Sequence, residues 1–363
     1  MFSSYRGQRV LHKCLKILRL SFADFTSLPD LKKLNIVKTV EKTVDNNTSI
    51  FIESPIHVKI QPIDVNDIKA HNKLCMQLYS LGKDTSDFQV KQSSKRLELF
   101  NKNTLADKND VCLIQVPYQL KVYVTTTENA SVHCERLEGD EFVFKTQKGS
   151  VHINSLKAQD IIVESLEGEI VTEGRLQASN IDLKTGLQSG VNCNNIMSNN
   201  FNVTTHAGSI AVKSCYSDKT HFTTAMGNVK LDRLHASAII DIIQQGKLHM
   251  TSFSGNLQAA LKSGEVFLHA AQLTEKSSIF IHEKGKVELL IPDIVKNLPA
   301  TNLIADKITI DEKIKDMGRF MDDAHPKRFR ISYPNEGEPL NELHVVCKNG
   351  SIDLKETDLP FIV

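Results

Sequence analysis

The chain has no tryptophan, only six tyrosines, and just ten prolines and 17 glycines among 363 residues. Proline and glycine are too sparse for a collagenous or low-complexity chain. Its seven cysteines form no Cys-x-x-Cys pair and no tight cluster. That argues against a disulfide framework or a zinc site and for free thiols in a reducing compartment. Lysine and arginine (44) nearly balance aspartate and glutamate (43), for a formal charge of +1. No surplus remains to neutralise a phosphate backbone, so nucleic acid is not an expected partner. No apolar run approaches the roughly 20 residues of a membrane-spanning helix. A P-loop, a GxGxxG opening a helix, an HExxH and a GxSxG are also missing, so none of the chemistries those motifs support is indicated and no cofactor is expected.

Residues 1–23 carry Arg6, Arg9, Lys13, Lys16 and Arg19 with no acid before Asp24, while Leu11, Leu15, Leu18 and Phe22 recur at helical spacing. A helix there sets an apolar stripe opposite its cations, as organelle presequences do. The expected location is mitochondrial, with the cytoplasm as alternative, because cations interrupt any secretory apolar core. Asn46, Asn47, Asn129, Asn202 and Asn349 stand in N-x-S/T; without an export signal these sequons are read as chance.

What the chain has is a period. From Ala130 onward glycines recur at Gly149, Gly168, Gly208, Gly227, Gly246, Gly264 and Gly285, and the steps 149 to 168, 208 to 227 and 227 to 246 are each 19 residues. With the glycine as zero, apolar or small residues fall at +2, +4, +7, +9, +12 and +14, as in Val151, Ile153, Leu156, Ala158, Ile161 and Val163. Ala130 and Ser189 serve as zero in their coils, and the coil from Gly168 fits after one insertion. Steps of two mark strands with one buried face, and steps of three mark corners. Three short strands per coil therefore wind round one apolar axis. Offset +9 is small (Gly139, Ala158, Ala178, Ser198, Ser217, Ala236, Gly255), which is read as a tight inner corner. Offset +16 carries Thr146, Ser165, Thr205 and Thr224, with Thr185 equivalent. Each hydroxyl is placed to bond the turn to the next glycine, which is read as reversing the chain at positive φ. One coil cannot bury enough to fold alone, so stacking is required.

These features specify an all-β chain: a parallel β-solenoid with about 19 residues per coil. The expected divisions are a targeting or flexible segment (1–45), a β-rich N-terminal cap (46–129), the coils (130–310), a protruding insertion (311–342) and a closing coil (343–363). The Gly-x-apolar-x-apolar coils, preceded by Val116-Pro117-Tyr118, resemble the bacterial "putative adhesin" repeat domain. Ile56-His-Val-Lys-Ile-Gln-Pro-Ile-Asp near the start and Lys348-Asn-Gly-Ser-Ile-Asp-Leu near the end look like those of animal proteins of the "family with sequence similarity" type. Over about residues 50–357 the resemblance implies a right-handed solenoid and a mitochondrial location, and it carries over no catalytic motif.

Outward positions of a solenoid stack into ladders, so chemistry is sought between coils. Asp140, Glu141 and Asp160, followed by Asn180 and Asn200 at the same corner, are candidates for a cation or sugar site, or for an amide ladder that satisfies turn backbone. No Lys or Arg is read into this ladder. His133 lies one coil below His152 with Glu135 nearby, a donor set that could hold zinc. Cys134, Cys193 and Cys215 fall at inward offsets and read as core. The expected function is a non-enzymatic structural or interaction protein docking an unidentified protein partner through a flat face, a ladder or the 311–342 excursion. The alternative is a carbohydrate-binding or polysaccharide-cleaving β-helix using the acidic corner, and extracellular adhesion is a third reading that needs export.

Overall fold

In the computed structural model, residues 28–45, 48–63, 72–82, 88–101, 109–117, 119–293, 297–321, 325–332 and 341–357 are described. The presequence-like segment 1–23, Asn46, Asn47 and Tyr118 lie outside them.

The nineteen-residue alternation becomes a stack of parallel strands. Val132, Val151, Ile170, Val191, Ile210, Val229 and Leu248, all at offset +2, pair in one unbroken register. At +14, Phe144, Val163, Leu183, Val203, Phe222 and Ile240 do the same. Side chains alternate across a strand, so every coil sends the same offsets inward. Ile161, Phe201, Phe222 and Phe253 are fully buried, and Phe201 meets Phe222 edge to face at 5.6 Å. The chain is a β-solenoid, with first strands near +2 to +4, second strands near +7 to +9 and third strands near +11 to +15. Strict counting would turn Ile239 inward, but the coil from Gly227 loses a residue before its third strand. Ala238 and Ile240 take the buried slots, and Ile239 is left exposed.

The turn chemistry at +16 is as the spacing predicts. Thr126, Thr185 and Thr205 donate to the carbonyls of Ala130, Ser189 and Gly208 at 2.6, 2.7 and 2.9 Å, and Ser165 Oγ accepts from Gly168 N–H at 2.8 Å. The glycines have a different cause from the expected one. Of the seven repeat glycines, Gly227 and Gly264 hold positive φ, +147° and +138°. At Gly149, Gly168 and Gly208 a Cβ would instead fall within 3.0 Å of the carbonyl oxygen of the zero residue one coil below. Close coil-on-coil approach, not chain reversal, requires them.

The stack does not begin at Ala130. Residues 46–129 supply coils of their own: Ser49–Ser54 pairs in parallel with Arg96–Asn101 and Leu120–Thr126, and His57–Pro62 with Val111–Val116 and Val132–Cys134. The coil 49–62 is thus clasped between chain segments that follow it in sequence. Beyond it the outermost strands turn antiparallel: Lys73–Ser80 on Val111–Val116, Asn35–Thr43 on Lys73–Ser80, and Phe88–Gln92 on Arg96–Asn101.

The far end repeats the device. Glu342–Glu356 does not close the stack from outside but inserts between Lys276–Ile291 and Ala300–Ile310, parallel to both. Ala300–Ile310 is displaced one place outward, where Lys327–Ile331 covers it in antiparallel register, with Arg319–Phe320 beyond. Lys327–Ile331 and Arg319–Phe320 are therefore a cap on this end. Charged and antiparallel end strands blunt the edges of an open stack.

Ile210→Asp, which places a carboxylate in the axis, should remove about 4 kcal/mol or more of stability, whereas Ala211→Asp one position on should change it little. Equal losses in urea unfolding would refute the assigned faces. Gly208→Ala should cost about 1 to 3 kcal/mol through overpacking against Ser189; an unchanged or raised melting temperature would show that the close approach is not limiting.

Candidate functional site

Register decides what each outward ladder can do. At the acidic corner Glu141 lies beneath Asp160, Asp160 beneath Asn180, and Asn180 beneath Asn200, with "beneath" meaning toward the N-terminal end. Asn180 Nδ2 donates to Asp160 Oδ1 at 2.7 Å, and Asn200 Nδ2 to Asn180 Oδ1 at 2.8 Å. Glu141 is bound from below, its Oε2 accepting from the Tyr123 hydroxyl at 2.7 Å. Burial, then the hydrogen bond and charge of Glu141, push the Tyr123 phenol up to about 12, which keeps it a donor. Asp140 is exposed, one residue off the column. Glu141 and Asp160 thus have separate donors, and Asp160, Asn180 and Asn200 form an amide ladder. Two cations do join it, contrary to the sequence reading: Lys121 in register with Glu141, and Lys219 with Asn200. Lys121 escaped notice because its strand precedes the repeat, and Lys219 because the ladder was followed only to Asn200.

His133 and His152 are brought together but not as metal ligands. Their rings stack face to face, centroids 4.6 Å apart and 15° from parallel, so the nitrogens lie side by side and do not converge. Lys59 is in register on the other side of His133 and takes Glu135 in an ion pair at 3.1 Å, with Asn154 donating to the same carboxylate at 3.3 Å. Among the described residues no three His, Cys, Asp or Glu side chains are arranged to hold a metal ion. Burial foremost, then the charges of His152, His57 and Lys59, hold the His133 imidazole down to about 3. Burial also lowers His152. The pair is therefore a neutral stack. Cys134, Cys193 and Cys215 are buried, and burial raises the last two to about 12 and 11, so these thiols stay protonated core.

The feature that sequence reading missed is a groove along the second-strand corner. Offset +9 is the tight corner that the spacing predicts: Ala178 and Ala236 are buried with the core, and a Cβ at Gly139 or Gly255 would fall within 3.0 Å of the carbonyl oxygen of Leu120 or Ala236 one coil below; on the outside the same row floors a concavity. Ala158, Ala178, Ser198 and Ser217 floor a trough of about 510 Å³, walled on one side by Met197, Tyr216 and His235 and on the other by Ser179, Asn199 and Asp218. The small side chains at +9 are what leave the space. A second hollow of about 270 Å³ shares Lys157 and Gln177 with the trough and lies on the other side of the wall they form, lined by Arg136, Ser155 and Arg175. The signal was present in the row of small residues, which the spacing alone reads as a packing constraint and not as room on the outside.

Stacked coils, ladders on three faces and antiparallel ends define a β-solenoid protein. Within it, residues 175–301 match the Toastrack DUF4097 family. No curated protein matches the chain. Similar solved structures include a putative adhesin of Bacteroides fragilis (16% identity, TM-score 0.37, covering 59% of this chain and 92% of that one). Another is a putative adhesin of Parabacteroides merdae (12%, TM-score 0.36, covering 70% and 89%). A putative lipid binding protein of Parabacteroides distasonis is similar at 10% identity and TM-score 0.37, covering 88% and 96%. Similarity at this level assigns no ligand or partner to the chain.

The His133 pKa lies below its ordinary 6.5 in the fold, so the unfolded chain binds more protons between about 6.5 and about 3. The neutral stack's contribution is complete above about pH 6.5 and is lost as pH falls toward 3. His133→Phe should flatten the decline in urea midpoint over that window, while a wild-type slope in the variant would assign the loss elsewhere.

Proposed function

We propose that this β-solenoid is a non-enzymatic interaction module that presents its third-strand face to a protein partner. The observation that carries the reading is an outward apolar stripe. Phe51, Tyr123, Val143 and Ile162 occupy one column of four consecutive strands, in direct register, and each remains partly exposed. Phe51 and Tyr123 stack at 4.5 Å with their planes 4° apart, and the Arg96 guanidinium lies 3.9 Å from the Phe51 ring centroid. Along one flank Lys145 pairs with Glu164 at 2.9 Å, and Lys184 there reaches Asp182, which continues the column above Ile162, at 2.8 Å. The acidic corner lies along the other. An aromatic and aliphatic centre inside a charged rim is the composition of a protein-binding patch. Rigid coils hold it flat, so little side-chain entropy is lost on docking. The partner that fits is a protein surface with an exposed apolar ridge and charges of both signs at its margins.

Targeting belongs to the same proposal. Residues 1–23 direct the module to mitochondria, which a reporter fused to that segment tests by its cellular distribution.

A photo-activated cross-linker placed at Val143 or at Ile162 should join the chain in cells to one and the same protein, whereas a cross-linker at Asn192 on the first-strand face should not. Different adducts from the two stripe positions, or equal yield at Asn192, would rule out a shared docking face.

A further inference from the structure

We propose that the groove along the second-strand corner binds an elongated acidic glycan. Beside its lower coils, across the Lys157–Gln177 wall, lies a hollow that is electropositive and unmatched. Arg136 and Arg175 are both exposed and line the same hollow on either side of Ser155. No carboxylate among the described residues pairs with either guanidinium. Lys157 between them, by contrast, is held by Glu138 at 2.5 Å. A planar, permanently charged guanidinium without a partner suits a carboxylate or sulfate supplied by a ligand.

The upper end has a different character. Met197 and Tyr216 are about half exposed, 49% and 50%. Tyr216 stacks on His235 at 4.8 Å and 6°, which fixes the phenol edge along the wall. Facing it are the hydroxyl, amide and carboxylate of Ser179, Asn199 and Asp218, while Ser198 and Ser217 on the floor hydrogen-bond to each other at 2.8 Å. An apolar wall opposite a polar one matches a pyranose ring, with its apolar C–H face and polar rim. The hollow recurs coil by coil, about 4.8 Å apart, so the fitting ligand is a chain, not a single sugar.

The backbone disfavours an extended peptide. Peptides dock on sheets by pairing with an unpaired edge, but the groove's N–H groups are used between coils: Leu137 N–H donates to Ser155 O at 3.0 Å and Ala158 N–H to Gln177 O at 2.9 Å. Nucleic acid would need more cations than this groove offers beside Glu138 and Asp218. The site is distinct from the third-strand stripe and does not depend on it.

Isothermal titration of the full chain with oligogalacturonate, a neutral cello-oligosaccharide of equal length and a polyglutamate peptide tests the assignment. The acidic glycan should bind at least about tenfold more tightly than the neutral one, the scale of one charge-assisted contact. The double variant Arg136→Gln/Arg175→Gln should lose that preference, and Tyr216→Ala should weaken both glycans; Lys230→Gln on another face should change neither. The Met197 methyl resonance should shift on addition of oligogalacturonate to the unmodified chain, a readout that needs no variant to fold. Absence of oligogalacturonate binding, an unmoved Met197 methyl, an affinity indifferent to the double arginine change, or equal binding of polyglutamate would each overturn the proposal.

Discussion

Everything in this molecule depends on backbone hydrogen bonding between equal offsets of successive coils. One register satisfies the strand N–H and C=O groups, closes the apolar axis and sets like positions above one another on the outside. It also sets the close approach that excludes a Cβ at Gly149, Gly168 and Gly208, where the carbonyl of the coil below occupies the space. A residue here is therefore constrained by its copies one coil away more than by its neighbours in sequence.

Because of that constraint the coils were legible from the sequence. Alternation in steps of two and three recurs whatever the identity of the apolar residue, so Val132 and Leu248 could be assigned the same inward place before any contact was known. The hydroxyls at +16 were legible for the same reason. The ends were not. The apolar patterns of 300–310 and 343–354 are interchangeable in the stack, and either could rest on 276–291; the observed order places the later segment inside. Nothing local distinguishes the two, because the choice is made by the antiparallel cap that follows Ala300–Ile310.

Site residues divide along the same line. Ladder membership could be counted, and the Asp160–Asn180–Asn200 column stands where counting placed it. Side-chain partners could not be counted, since they come from strands outside the repeat: Tyr123 claims Glu141 and Lys59 claims Glu135. The zinc reading of His133, His152 and Glu135 was overtaken in this way, because two imidazoles in direct register stack before they converge. Offset +9 is the packing constraint that counting predicts; what counting could not show is that the same small side chains leave room outside.

The clasped coils at the two ends have a consequence for how the chain is made. The gap between 276–291 and 300–310 is filled by residues 342–356, so the order of layers at this pole is fixed only once those residues have emerged. The amino-terminal clasp, in contrast, can be completed as soon as residue 134 is free. The amino-terminal pole can thus close first, and residues 342–356 lock the opposite one.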